Sequence, residues 1–262
     1  MNIPARIPIA AIVIVPLLFV SSGSSAESGE PPRTGYFKVE FSPTVLLGEQ
    51  GVTDAADILL SDDDISWQIY VPDTYDATRP AGVVVYVSPT PKGGPPRTWN
   101  KPLDDGNLIW IGANNAGNRV AVGKRMFLAM LAPRVLAREY VLDANRIYVA
   151  GFSGGGKAAS RVSSARPELF RGGIYIAGAE AWGTKTPPPK LDIIRQNYHV
   201  FLTGTNDFNE RLTRRVYASY KSAGVENCEL IVVKRLGHEL PSRSVFARAI
   251  DYLDSRNSSP EK

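Results

Sequence analysis

The feature that most narrows the possible folds is an alternation of short apolar runs with segments of helical spacing. Ala81 to Val87 and Leu108 to Ala113 are continuous apolar runs, as in strands buried on both faces. Tyr36 to Phe41 and Ser66 to Val71 alternate apolar with polar residues, the pattern of half-buried strands. Arg125 to Glu139 spaces its apolar residues helically, and a strand at Arg146 to Phe152 leads into a helix from Gly154 to Ala165. Strands at Gly173 to Ala177 and Tyr198 to Thr203 follow, then a helix at Glu210 to Ser222. A strand at Glu229 to Lys234 and a helix at Arg243 to Asp254 close the pattern. Strands joined through helices lie parallel, and the crossovers cover both faces of their sheet. The expected fold is α/β, a mostly parallel central sheet with helices on both faces.

The beginning of the chain departs from this pattern. Arg6 precedes an apolar stretch from Ile7 to Val20, broken only by Pro8 and Pro16, and Ser24-Ser25-Ala26 fits a small-x-small cleavage site. That is the three-part layout of a secretory signal peptide, and the apolar run is short for a membrane span. Residues 1–26 are therefore expected to be a cleaved signal, 27–35 a flexible leader and 36–262 one domain. The protein is expected to be secreted or periplasmic, with no stable membrane span after cleavage.

Charge excludes one class of partner. Thirty Lys and Arg face 26 Asp and Glu, a net charge of +4, or +3 once Arg6 is lost, with no basic block. So slight an excess does not point to nucleic acid. Cys228 is the only cysteine, so no intramolecular disulfide is possible; at the head of an apolar run it reads as a small buried residue. Asp62-Asp63-Asp64 reads as a solvated turn, since no neighbouring ligand completes a metal shell.

The chemistry concentrates at Gly151-Phe152-Ser153-Gly154-Gly155, between the apolar strand Ile147 to Ala150 and a helical stretch. This is a G-x-S-x-G nucleophile elbow in its strand–turn–helix setting. The sharp turn crowds the flanking backbones, which explains glycine at 151 and 155. The helix beginning there aims free N–H groups toward the serine. A phosphate-binding loop would need Ser or Thr after Lys157, where Ala158 stands.

A serine nucleophile needs a base, and the chain offers two histidines. His238 follows a strand in Leu236-Gly237-His238-Glu239, where it can approach Ser153. His199 lies inside an apolar strand and reads as structural. The orienting acid is expected at Asp207, in the loop after the penultimate strand; Glu180 is the rival acid, and a helix cap is the plain alternative for Asp207.

These segments resemble the α/β-hydrolase superfamily, whose members carry the triad in the order Ser, Asp, His. More narrowly, Gly151-Phe152-Ser153-Gly154-Gly155, Gly204-Thr205-Asn206-Asp207, Gly237-His238 and Ile69-Tyr70-Val71-Pro72 resemble its compact esterase and polyhydroxybutyrate-depolymerase-like branch. The resemblance covers about residues 66–254 and implies a carboxylic ester hydrolase with a Ser153–His238–Asp207 triad and no cofactor or metal. It places one oxyanion donor at Gly154 and the other at Thr90. The His-Gly usual before that position is replaced here by Ser88-Pro89, which makes Lys92 and Gly93 alternative donors. The same triad would also serve a peptidase, an amidase or an acyltransferase; a catalytically inactive binding protein on the same fold is a further alternative.

The substrate is less defined than the reaction. Gly178 to Asn197 is too short for a large lid domain, which suits small esters or the exposed ends of a polymer. Phe152, Trp182 and Trp110 are candidate walls of an acyl pocket, with Trp99 as a fourth; each is equally readable as core packing.

Overall fold

A computed structural model describes residues 32–59, 65–180, 182 and 188–255. The expected signal peptide and Asp62 to Asp64 lie outside the described residues. Eight strands form one sheet in the order β1-β2-β4-β3-β5-β6-β7-β8. They are β1 (Gly35–Phe41), β2 (Ile65–Val71), β3 (Ala81–Val87), β4 (Leu108–Ala113), β5 (Leu142–Phe152), β6 (Gly172–Ile176), β7 (Tyr198–Gly204) and β8 (Cys228–Val233). β2 runs antiparallel to both β1 and β4, and the other pairs are parallel.

The continuous apolar runs are explained by two cores, one on each face of the sheet. Val83, Val85 and Val87 point into one core, with Ile109, Ile111, Ile147 and Val149. Val84 and Tyr86 point into the other, with Leu108, Trp110, Tyr148 and Ala150. The first face is covered by α3 (Val122–Leu136), α4 (Gly154–Ala165) and α6 (Glu210–Ser222). The second is covered by α2 (Asn100–Asp105) and α7 (Arg243–Asp254). In α7 the buried residues Phe246, Ala249, Ile250 and Leu253 recur at helical spacing and form one stripe against the sheet. Phe246 stacks flat on Trp99, with ring centroids 3.9 Å apart. Removing a ring so buried costs about 3–5 kcal/mol.

Several elements differ from expectation. The kinked α1 (Pro43–Asp54) and the short α2 and α5 (Leu191–Gln196) carry no periodic signal of their own. α1 is kinked at Gly48, whose φ is 72°. α3 begins and ends three residues earlier than its apolar spacing suggests, and β5 begins at Leu142 rather than Arg146. Arg33, assigned to the leader, pairs with Glu139, and its carbonyl accepts the Tyr140 hydroxyl at 2.8 Å.

One topological fact positions the site. From β3 the chain steps to β4 on one side, then returns to β5 on the other. Loops leaving the carboxyl ends of β3 and β5 diverge there and open a crevice, the usual ligand position in such sheets. The opposite end is closed by Arg146 in the first half of β5. Its guanidinium donates to both carboxylate oxygens of Asp254, at 3.0 and 2.6 Å, while Tyr148 donates to the same group. No helix among the described residues is long and apolar enough to cross a membrane.

Candidate active site

Ser153 sits at the crevice, alone between β5 and α4. Its backbone has φ 57° and ψ −121°, a conformation that costs a non-glycine residue about 1–3 kcal/mol. Hydrogen bonds on both sides hold it there. The Ser153 N–H donates to the Ile176 carbonyl at 2.8 Å, and the Ser153 carbonyl accepts from Lys157 N–H at 3.1 Å. The close approach anticipated at the two glycines is present: a Cβ on Gly151 would lie 2.3 Å from the Gly155 carbonyl oxygen, and one on Gly155 1.9 Å from that of Val87.

His238 and Asp207 arrive from neighbouring loops. The His238 Nε2 lies 2.8 Å from Ser153 Oγ, and its Nδ1 lies 2.9 Å from Asp207 Oδ1. The Asp207 side chain has no exposed surface. Its Oδ1 also accepts from Asn209 N–H at 2.9 Å, and its Oδ2 accepts from the Thr203 hydroxyl at 3.0 Å. A carboxylate accepts only, so Nδ1 is assigned the imidazole proton and Nε2 is left to accept from the serine hydroxyl. The histidine loop is fastened at two points. The Leu236 carbonyl accepts from Asn206 N–H at 3.0 Å, and the Pro241 carbonyl accepts from the Trp99 indole at 3.2 Å.

Next to Ser153 lie two loops, one after β3 and one after β4. They are tied backbone to backbone: Asn118 N–H donates to Pro89 at 2.9 Å and Asn115 N–H to Pro91 at 2.8 Å. Arg125 of α3 is buried behind them, its guanidinium donating to the carbonyls of Ala116 and Ser88 at 3.0 and 2.9 Å. Burial lowers its pKa. The expected second donor, Thr90, is not free, because its N–H donates to Ser88 Oγ at 3.1 Å. The alternatives are also taken: Lys92 N–H donates to Thr90 Oγ1 at 3.3 Å, and Gly93 N–H to Asn114 Oδ1 at 3.2 Å. Gly154 differs, since as the first residue of α4 its N–H has no acceptor within the helix.

The aromatic candidates divide. Phe152 is half-buried, its ring centroid 4.9 Å from that of His238. Trp110 and Trp99 are wholly buried with Phe246, and Trp110 spends its indole N–H on the Gly93 carbonyl at 2.8 Å. Both belong to the core and present no surface to a ligand. Trp182 lies on Tyr220 at 4.0 Å, packed against the core beneath α6. Phe208 was not anticipated: it is 76% exposed and its ring lies 4.0 Å from that of His238. The available signal was an aromatic residue directly after the acid in an otherwise polar loop. Glu180 pairs with Arg161 at 2.5 Å. His199 is buried, with Tyr175 on one ring nitrogen and the Ile194 carbonyl on the other. The buried Cys228 thiol has its pKa pushed up to about 11 by burial, which suits packing rather than nucleophilic chemistry.

No protein-family model and no curated protein matches this sequence. Solved structures do match. A ferulic acid esterase superposes with a TM-score of 0.61 at 12% identity, over 85% of this chain and 98% of that one. A mutant feruloyl esterase module from Clostridium thermocellum, complexed with sinapinate, gives 0.58 at 15% identity, over 86% and 90%. An α/β-hydrolase enzyme from the metagenome of Lake Arreo, Spain, gives 0.61 at 13% identity, over 88% and 85%. With the sheet order and the crossovers described above, these likenesses show that the chain has the α/β-hydrolase fold.

Proposed function

We propose that this protein is a serine hydrolase that cleaves carboxylic esters through an acyl-enzyme, with Ser153 as nucleophile, His238 as base and Asp207 as orienting acid. One observation carries the reading: an unbroken hydrogen-bonded line of 2.8 and 2.9 Å from Ser153 Oγ through His238 to a carboxylate without exposed surface. His238 takes the hydroxyl proton as Ser153 Oγ bonds to the substrate carbonyl carbon. Asp207 holds the imidazole tautomer and stabilises the imidazolium that forms. The Gly154 N–H donates to the developing oxyanion. His238 then protonates the departing alcohol, and water attacks the acyl-serine by the same route in reverse. The three groups supply the nucleophile, the base and the proton store that this chemistry needs. The signal-like pattern of residues 1–26 supports export.

The test uses chromogenic esters of graded acyl length, with an aromatic acyl ester as one arm. Ser153→Ala is expected to lower kcat at least about 10³-fold and to abolish labelling by a fluorophosphonate. Hydrolysis by Ser153→Ala at the wild-type rate would sink the assignment. Amide substrates and added alcohol acceptors, run in parallel, separate an esterase from a peptidase and from an acyltransferase.

A further inference from the structure

None of the backbone N–H groups expected as the second donor in the loop after β3 is to spare. Pro89 and Pro91 have no N–H, and those of Thr90, Lys92 and Gly93 are satisfied within the two joined loops. A single donor at Gly154 leaves an oxyanion under-stabilised, and a donor from another element can complete the pair. The loop after β4 brings one. Asn118 is exposed, and its side-chain amide occupies the place that a Cβ on Gly154 would approach. A Cβ built on Gly154 would fall 2.2 Å from Asn118 Oδ1, 2.8 Å from Cγ and 3.0 Å from Nδ2. Among the described residues this amide has no hydrogen-bond partner. Its backbone is fixed by the bond from its N–H to Pro89, and the neighbouring Ala116 carbonyl by Arg125. A side chain at position 154 would meet the Asn118 amide, which would have to move aside.

We propose that the Asn118 side-chain amide, with the Gly154 N–H, forms the oxyanion hole of this site. The proposal rests on the serine-hydrolase reading and replaces Thr90 in it. As Ser153 Oγ bonds to the carbonyl carbon, the carbonyl π pair moves onto oxygen, and the hydroxyl proton goes to His238 Nε2. The oxygen then accepts from Gly154 N–H and Asn118 Nδ2. A half-turn about the Asn118 Cβ–Cγ bond exchanges the two ends of the amide, so either end can be offered to the ligand. When the intermediate collapses, the pair returns to the carbonyl and the alcohol leaves with the proton from His238.

The experiment compares wild type, Asn118→Ala, Asn118→Asp, Gly154→Ala and the double variant Gly154→Ala/Asn118→Ala. Readouts are ester kinetics, melting temperature and affinity for a boronic acid, which mimics the tetrahedral adduct. Asn118→Ala is expected to lower kcat about 100-fold with KM nearly unchanged, and to weaken the boronic acid by a similar factor. Asn118→Asp, isosteric but without the donor, is expected to lose at least as much. Gly154→Ala keeps its own N–H but displaces the amide, so it too should lose activity; in the Asn118→Ala background the added methyl should cost little. Melting temperatures should stay near wild type. A kcat for Asn118→Ala within about threefold of wild type would overturn the proposal, as would unchanged boronic acid affinity. Failure of the underlying reading looks different: the wild type would then hydrolyse no ester, or Ser153→Ala would remain active.

Discussion

His199 and His238 belong to adjoining strands, one within β7 and the other in the loop after β8, yet their surroundings have almost nothing in common. His238 meets a buried carboxylate at Nδ1 and a serine hydroxyl at Nε2, and its side chain is partly exposed. His199 meets two neutral partners, the Tyr175 hydroxyl at 2.9 Å and the Ile194 carbonyl at 3.2 Å, and is buried among aromatic rings. Around His238 a carboxylate and a hydroxyl both lie within hydrogen-bond reach. Around His199 a proton would be an unpaired charge in a core, and burial pulls its pKa down to about 4. The base role proposed for His238 therefore rests on its unequal neighbours, a carboxylate and a hydroxyl, and not on the imidazole itself.

The sharpest way to break this contrast is to make the neighbours of His238 neutral. Asp207→Asn keeps the shape but allows the wrong tautomer, and kcat for ester hydrolysis is expected to fall about 10⁴-fold with melting temperature little changed. A loss under tenfold would mean that another group orients the base. For His199 the expected effect is on stability. The unfolded chain holds a proton on this side chain with an ordinary pKa of 6.5, and the folded chain only near pH 4. Its contribution is complete above about pH 6.5 and is lost as pH falls toward 4, by on the order of 3 kcal/mol. Denaturant unfolding across that interval should show a flatter pH dependence in His199→Gln than in wild type; an identical slope would remove His199 from the account. The smallest effect is expected at Phe208, whose exposed ring lies beside that of His238. Phe208→Ala is expected to raise KM for an aromatic acyl ester about fivefold and leave kcat near wild type, as loss of one exposed ring contact would do. Equal KM values would show that the ring meets no substrate.

The layered sheet was legible because strands buried on both faces must be apolar throughout, as Ala81–Val87 is. The elbow was legible because its requirements are local: a strand, a serine and glycines where backbones touch. Ser153, Asp207 and His238 could be located because each lies just past the end of a strand, and the fold does bring them together. What could not be read depends on direction and competition. In a strand buried on both faces nothing in the sequence says which core a side chain enters, so Trp110 could be mistaken for a pocket wall. The α1, α2 and α5 helices are short or kinked and held by tertiary packing, so their spacing carries little signal. The N–H of Thr90 looked available because the hydroxyl that occupies it, Ser88 Oγ, is two residues away and acts through a turn. The role proposed for Asn118 depends on contact between separate loops, which no local pattern announces.

Arg125 gives the crevice a second property. Its guanidinium joins the carbonyl of Ser88 to that of Ala116, and among the described residues it has no acidic partner. Two loops far apart along the chain are thereby clamped into one stiff wall, so a strain placed on either is shared by both. A cation with no acidic partner among the described residues also lends that wall a standing positive potential.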